Sequence, residues 1–122
     1  MTARILLVED DEAVRAFVKR ALEMDGHAVV TAEDGAEGLA LLQQEKGAFD
    51  LLLTDIKMPI MDGIALALAT ARDFPELTIL LMTGFADQRE RAANLSALIF
   101  DVITKPFTLP QIRTKVKEAL AA

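Results

Sequence analysis

The 122-residue chain contains no cysteine, which removes disulfides, thiol catalysis and zinc–thiolate sites together. It also lacks any long apolar run. Ile5 to Val8, the first hydrophobic stretch after Met1-Thr2-Ala3-Arg4, is too brief for a signal-peptide core or a membrane span. The expected location is therefore the cytoplasm, with no membrane as partner. A surplus of positive charge is missing too: the net charge of −6 argues against DNA or acidic membranes as primary partners, since binding phosphates needs a basic face. No Ser/Gly/Pro-rich linker, low-complexity tract or internal repeat interrupts it. What is present, 52% apolar and 26% charged residues, suits one globular domain with a single core.

Short apolar runs alternate with longer segments of helical period. The runs predict strands over Ile5–Val8, His27–Thr31, Phe49–Thr54, Thr78–Met82 and Ile99–Ile103. Several are almost wholly apolar, as strands covered on both faces must be. Helices are predicted near 12–24, 35–45, 63–73, 87–95 and 109–121. The first would bury Val14, Phe17, Val18, Ala21 and Leu22, and the last Ile112, Val116, Ala119 and Leu120. Asp34 with Glu37, and Thr108 with Gln111, read as capping pairs, with Pro110 tolerated in a first turn. Gly26 and Gly47 read as helix stops. Five β–α units in sequence predict an α/β fold, one parallel sheet wrapped by helices on both faces. Ligands of such sheets sit beyond the carboxyl ends of the strands, so the residues just after each apolar run are the first candidates for a site.

Glu9-Asp10-Asp11-Glu12 follows the first run, and Asp55 ends the third. If strands one and three are neighbours, Glu9, Asp10 and Asp55 converge. Clustered carboxylates repel unless a cation or a shared proton settles the charge. An all-oxygen set favours a hard ion, Mg²⁺ above all. Asp11 and Glu12 equally suit the N-terminus of a helix, where the macrodipole favours acids.

Thr83 closes strand four and Lys105 closes strand five. A carboxylate nucleophile, a metal, a hydroxyl and an ammonium group are the parts needed to move a phosphoryl group. Taken singly, Thr83 is an ordinary turn residue and Lys105 an ordinary solvated lysine; their shared edge is the signal. Pro106 follows Lys105, and the bond between them is free to be cis.

The stretches I-L-L-V-E-D-D at 5–11, L-L-L-T-D-I-K-M-P-I-M-D-G at 51–63, L-L-M-T-G at 80–84 and T-K-P-F at 104–107 resemble the receiver domains of bacterial response regulators, the CheY-like family. The resemblance spans the full length. It implies a flavodoxin-like sheet of order 2-1-3-4-5 and a signalling switch rather than an enzyme, one that catalyses only its own phosphorylation and dephosphorylation. Asp55 would be the phosphoacceptor. Glu9, Asp10, Asp55 and the backbone carbonyl of Lys57 would hold Mg²⁺. Thr83 would be the switch hydroxyl and Lys105 the phosphate-binding lysine. The donor would be a phosphohistidine on a sensor histidine kinase or histidine phosphotransfer protein. Residues 1–122 would form one receiver domain with no output domain.

The family usually carries Tyr or Phe three residues before the lysine; here Val102 stands there, so a weaker or rearranged switch is expected, with Phe85 or Phe100 as substitutes. Signalling would run through the 87–121 face, where Arg89, Arg91, Arg113, Lys115 and Lys117 are expected outward. The run M-T-G-F-A-D-Q-R-E-R-A-A-N-L-S-A-L-I at 82–99 is similar to that of stand-alone regulators acting as phosphorylation-gated adaptors for an ATP-dependent protease. A phosphate-shuttle receiver and the receiver half of a longer DNA-binding regulator are the alternatives. A flavodoxin-type cofactor site fits poorly, because the loop after strand one is acidic where a phosphate cradle is needed. A haloacid-dehalogenase-type phosphatase would need an acid two residues after Asp55, where Lys57 stands. A degenerate receiver that binds partners without phosphorylation would lack some of these chemical positions, and all are present.

Overall fold

A computed structural model describes residues 2–84 and 86–122, with backbone alone over 86–88. Phe85, one of the candidate substitutes for the missing aromatic, lies outside the described residues. The elements alternate as β1 (Arg4–Val8), α1 (Glu12–Met24), β2 (Ala28–Ala32), α2 (Gly35–Gln44), β3 (Leu51–Asp55), α3 (Gly63–Asp73), β4 (Thr78–Thr83), α4 (Ala86–Ala93), β5 (Asp101–Thr104) and α5 (Leu109–Ala121). All pairings are parallel, and the strand order is β2-β1-β3-β4-β5, as the resemblance implies.

The pleat explains the two-sided core. Leu6, Val8, Leu52, Ile79 and Leu81 face one way, onto Leu42 of α2, Leu66 and Ala67 of α3 and Ala92 of α4. Ile5, Leu7, Leu51, Leu53, Leu80 and Met82 face the other, onto Val18, Ala21 and Leu22 of α1 and Ile112, Val116 and Ala119 of α5. Fully burying one such side chain stabilises the fold by about 1.5–3 kcal/mol, whereas an exposed ion pair contributes under about 1. The two apolar layers therefore carry the stability.

Local signals hold at most boundaries. The Asp11 side chain accepts from the amides of Ala13 and Val14, capping α1. Asp34 caps α2 and accepts from the Glu37 amide. Thr108 and Gln111 form a complete capping box on α5 with Pro110 in its first turn. Gly26, at φ +86°, ends α1.

Some expectations shift. The His27 amide bonds back to Leu22, finishing α1, and its Nδ1 accepts from the Ala3 amide at 3.0 Å, so β2 starts one residue late. The Asp50 carboxylate takes the Arg4 amide, so β3 starts at Leu51. The amides of Leu98 and Ile99 bond to Leu95, extending the turns after α4 and delaying β5 to Asp101. Phe17, expected in the core, is 41% exposed on α1, with its ring 6.5 Å from that of Phe107.

Candidate phosphoacceptor and metal site

Because β1 and β3 pair with Val8 beside Thr54, the residues that follow them meet at the carboxyl edge of the sheet. Glu9 and Asp55 are buried there, at 0% and 7% exposure, and Asp10 is exposed beside them. Carboxylate oxygens of Glu9, Asp10 and Asp55 lie within 4.8 Å of one another. Lys105 reaches in from the end of β5. Its Nζ donates to Glu9 Oε1 at 2.6 Å and stands 3.0 Å from Asp55 Oδ1.

Burial pushes the Glu9 carboxyl up to about 7, and the nearby Asp55 charge adds to the rise against the pull of Lys105. Burial works to lower the Lys105 ammonium, but its hydrogen bond to Glu9 and the Asp55 charge outweigh it and raise it. Glu9 Oε2 is a buried oxygen with no hydrogen-bond partner among the described residues. Such an atom costs about 1–3 kcal/mol if it stays unmatched. Three converging carboxylates, one with an unmatched oxygen, fit a hard divalent cation, and the all-oxygen donor set matches Mg²⁺. Lys57, whose carbonyl is the expected fourth contributor, lies exposed in the loop after β3.

The other sequence candidates fall around this centre. Thr83 is buried at the end of β4, with Thr104 as its partner on β5. The Lys105–Pro106 bond is cis. Val102 is half-buried in β5, packed against the layer that contains Leu52 and Ile79. Phe100 is partly exposed, its amide bonded to the Ile79 carbonyl at 2.7 Å. Three of the basic residues expected outward hold acidic partners. Arg91 pairs with Asp62 at 3.1 Å, and Lys115 with Asp101 at 2.9 Å. Arg113 turns the other way, onto Asp25 of the α1 terminus. With Lys117 and His27 it lines a separate hollow between α1 and α5.

Several residues around the site have no role assigned from sequence, although Thr54 and Asp62 lie within the 51–63 motif. Thr54, buried, donates its hydroxyl to the Asp55 carbonyl at 2.9 Å. Arg15 on α1 donates to the Glu9 carbonyl at 2.7 Å. Asp62 caps α3 through the Ala65 amide and ties α3 to α4 through Arg91. Burial would raise its carboxyl, but those two donors hold it below the usual carboxylate range. A lone arginine in a helix gives no sign of reaching six residues back, so sequence pattern does not reveal Arg15.

A family model described as "Response regulator receiver domain" matches residues 5–117. The chain is 40% identical to the response regulator receiver protein CpdR of Brucella abortus, over 98% of both chains. It is 38% identical to the sensor kinase CckA of the same organism over 98% of this chain, but spans only 13% of that longer protein. Among solved structures, a CheY-like receiver protein from Methanospirillum hungatei superposes with a TM-score of 0.88 at 34% identity, covering 99% of this chain and 95% of its own. The response regulator TrrA of Thermotoga maritima, solved with Mg²⁺ and BeF, gives a TM-score of 0.82 at 30% identity, covering 95% and 97%.

Proposed function

This chain belongs to the response regulator receiver family, and on that footing we propose that it is a phosphorylation-controlled switch whose acceptor is Asp55. One observation carries the reading. Glu9, Asp10 and Asp55 converge at one strand edge, with the Lys105 ammonium within 3.0 Å of both Glu9 and Asp55.

In this reading an Asp55 carboxylate oxygen attacks the phosphorus of a phosphohistidine. The P–N bond breaks, the electron pair stays with the imidazole, and a P–O bond forms on Asp55. Glu9, Asp10, Asp55 and the Lys57 carbonyl would hold Mg²⁺, which supplies positive charge to the phosphoryl oxygens. Lys105 exchanges its grip on the bare carboxylate for one on a phosphoryl oxygen. Thr83, buried beside it, offers a hydroxyl to another. The donor class is a sensor histidine kinase or a histidine phosphotransfer protein.

The output we propose is docking to another protein, as a phosphorylation-gated adaptor for an ATP-dependent protease. Similarity to CpdR along both whole chains favours this. Similarity to a short part of CckA favours the second reading, a phosphate-relay receiver belonging to a longer protein. No helix among the described residues is long and apolar enough to cross a membrane.

Acetyl phosphate with Mg²⁺ tests the chemistry. The chain should gain one phosphoryl mass, hydroxylamine-labile and mapped to Asp55, and Asp55→Asn should gain none. An unlabelled native chain under these conditions would sink the proposal. Affinity capture with native protein and Asp55→Ala then reads the output. A protease or substrate partner that depends on Asp55 supports the adaptor; identical partner sets count against it.

A further inference from the structure

The peptide joining Glu9 to Asp10 links the two acids of the cluster that come from β1. Its carbonyl, Glu9 O, accepts from Arg15 Nη1 at 2.7 Å. Arg15 is itself held in place. Its side chain is only 16% exposed, and its own amide bonds to the Asp11 carbonyl in the first turn of α1. A second nitrogen, Nη2, lies 3.6 Å from Glu33 on the loop after β2. The guanidinium thus joins the β1–α1 turn to the β2–α2 turn.

We propose that Arg15 is a positioning residue for the cation site, fixing the Glu9–Asp10 peptide so that both carboxylates point to one place; the inference rests on the metal-site reading above. The physical need is clear. Carboxylates this close repel, and a turn free to rotate about the Glu9–Asp10 peptide would relieve the repulsion by splaying them apart. A charge-assisted bond to the intervening carbonyl removes that freedom at the rigid end of a helix. The Glu33 contact is longer, and Glu33 is 69% exposed, so it contributes little beside the carbonyl bond.

The charge of Arg15 pulls the other way, since a cation nearby disfavours a second cation. The two effects give opposite signs, so one titration series separates them. Isothermal titration of Mg²⁺ into the full chain, with melting of the metal-free protein followed by circular dichroism, is the experiment. Arg15→Met should weaken Mg²⁺ affinity about tenfold, in the range that supporting partners of metal ligands show. Arg15→Lys, which keeps the charge and one donor, should recover part of that loss. Glu33→Gln should stay within about twofold of the native chain. Where Arg15→Met does not fold without metal, the Arg15→Lys and Glu33→Gln titrations carry the comparison, and Lys must bind more weakly than native.

Native-like or tighter binding by both Arg15 variants overturns the inference, the second outcome meaning that charge and not positioning governs. Equal losses in Arg15→Met and Glu33→Gln overturn it as well, by assigning the effect to the ion pair. A native chain that takes up no Mg²⁺ overturns the cation site and the role of Arg15 together. A native chain that binds Mg²⁺ while the variants match it overturns the role of Arg15 alone.

Discussion

The backbone amide of Lys105 donates to the carbonyl of Thr83 at 2.7 Å. The residue proposed to hold the phosphoryl group and the residue proposed to sense it are therefore joined through main chain, β4 to β5, independently of their side chains. That connection needs no intervening ring, which bears on a chain that has Val102 three residues before the lysine.

Glu9 makes metal-free stability depend on pH. Its carboxyl is raised from 4.5 to about 7 by folding, so the folded chain binds more protons than the unfolded one between those values. The stabilisation is complete below about pH 4.5 and is lost as pH climbs through about 7, by up to about 3 kcal/mol. Asp25, Asp62 and Asp101, lowered from 3.8, act in the opposite sense and at more acid pH. Urea titrations across this range should show the decline, and saturating Mg²⁺ or Glu9→Gln should flatten it. A flat native profile without metal would refute the assignment. Circular dichroism is the suitable probe, because the chain has neither Trp nor Tyr.

Gly63 tolerates no side chain. A Cβ there would lie 2.0 Å from the Asp55 carbonyl oxygen and 2.9 Å from Ile56 Cα, all backbone. Gly63→Ala should cost about 3 kcal/mol or more and slow the labelling of Asp55. Gly84→Ala, whose Cβ would meet nothing closer among the described residues than Lys105 Cβ at 3.8 Å, is the control and should stay near native stability.

Ile60 is a branched residue at φ +70°, in the left-handed region, and is 84% exposed. Nothing buried is lost by replacing it. Ile60→Asn should stabilise the chain by about 1 kcal/mol through relief of backbone strain. A loss of stability on denaturation would show that the apolar side chain has packing value the exposure conceals.

Val102 leaves the coupling between site and β5 with less side-chain bulk. On addition of Mg²⁺ and beryllofluoride, backbone amide resonances of Thr83 and of 101–104 should move less in the native chain than in Val102→Tyr. Equal shifts in the two proteins would remove Val102 as the weak link.

Most of the fold was legible because parallel strands buried on both faces are written as apolar runs, and the acids, threonine and lysine at their ends stand out against that background. The boundaries were less so. His27 and Asp50 look like strand or strand-entry residues, yet each spends a side-chain bond on tying a neighbouring segment, and this decides where pairing begins. Phe17 matched the apolar stripe of α1 but sits at its margin, where Phe107 covers only part of its ring. Arg15, Arg91 and Arg113 show the real limit. An arginine's partner is set by tertiary placement, and these three reach Glu9, Asp62 and Asp25 across loops that local pattern does not describe.

The contact of Gly63 with the Asp55 carbonyl has a mechanical consequence. On the α3 side the acceptor rests against backbone with no clearance, so that wall is a stiff abutment. On the same face of the sheet Ala92 is the only fully buried residue among the described side chains of α4, and the exposed Arg91–Asp62 pair joins that helix to the N-cap of α3. Displacement of the Asp55 backbone therefore finds no room toward Gly63, and α4, with a single buried anchor among its described side chains, is the helix expected to yield.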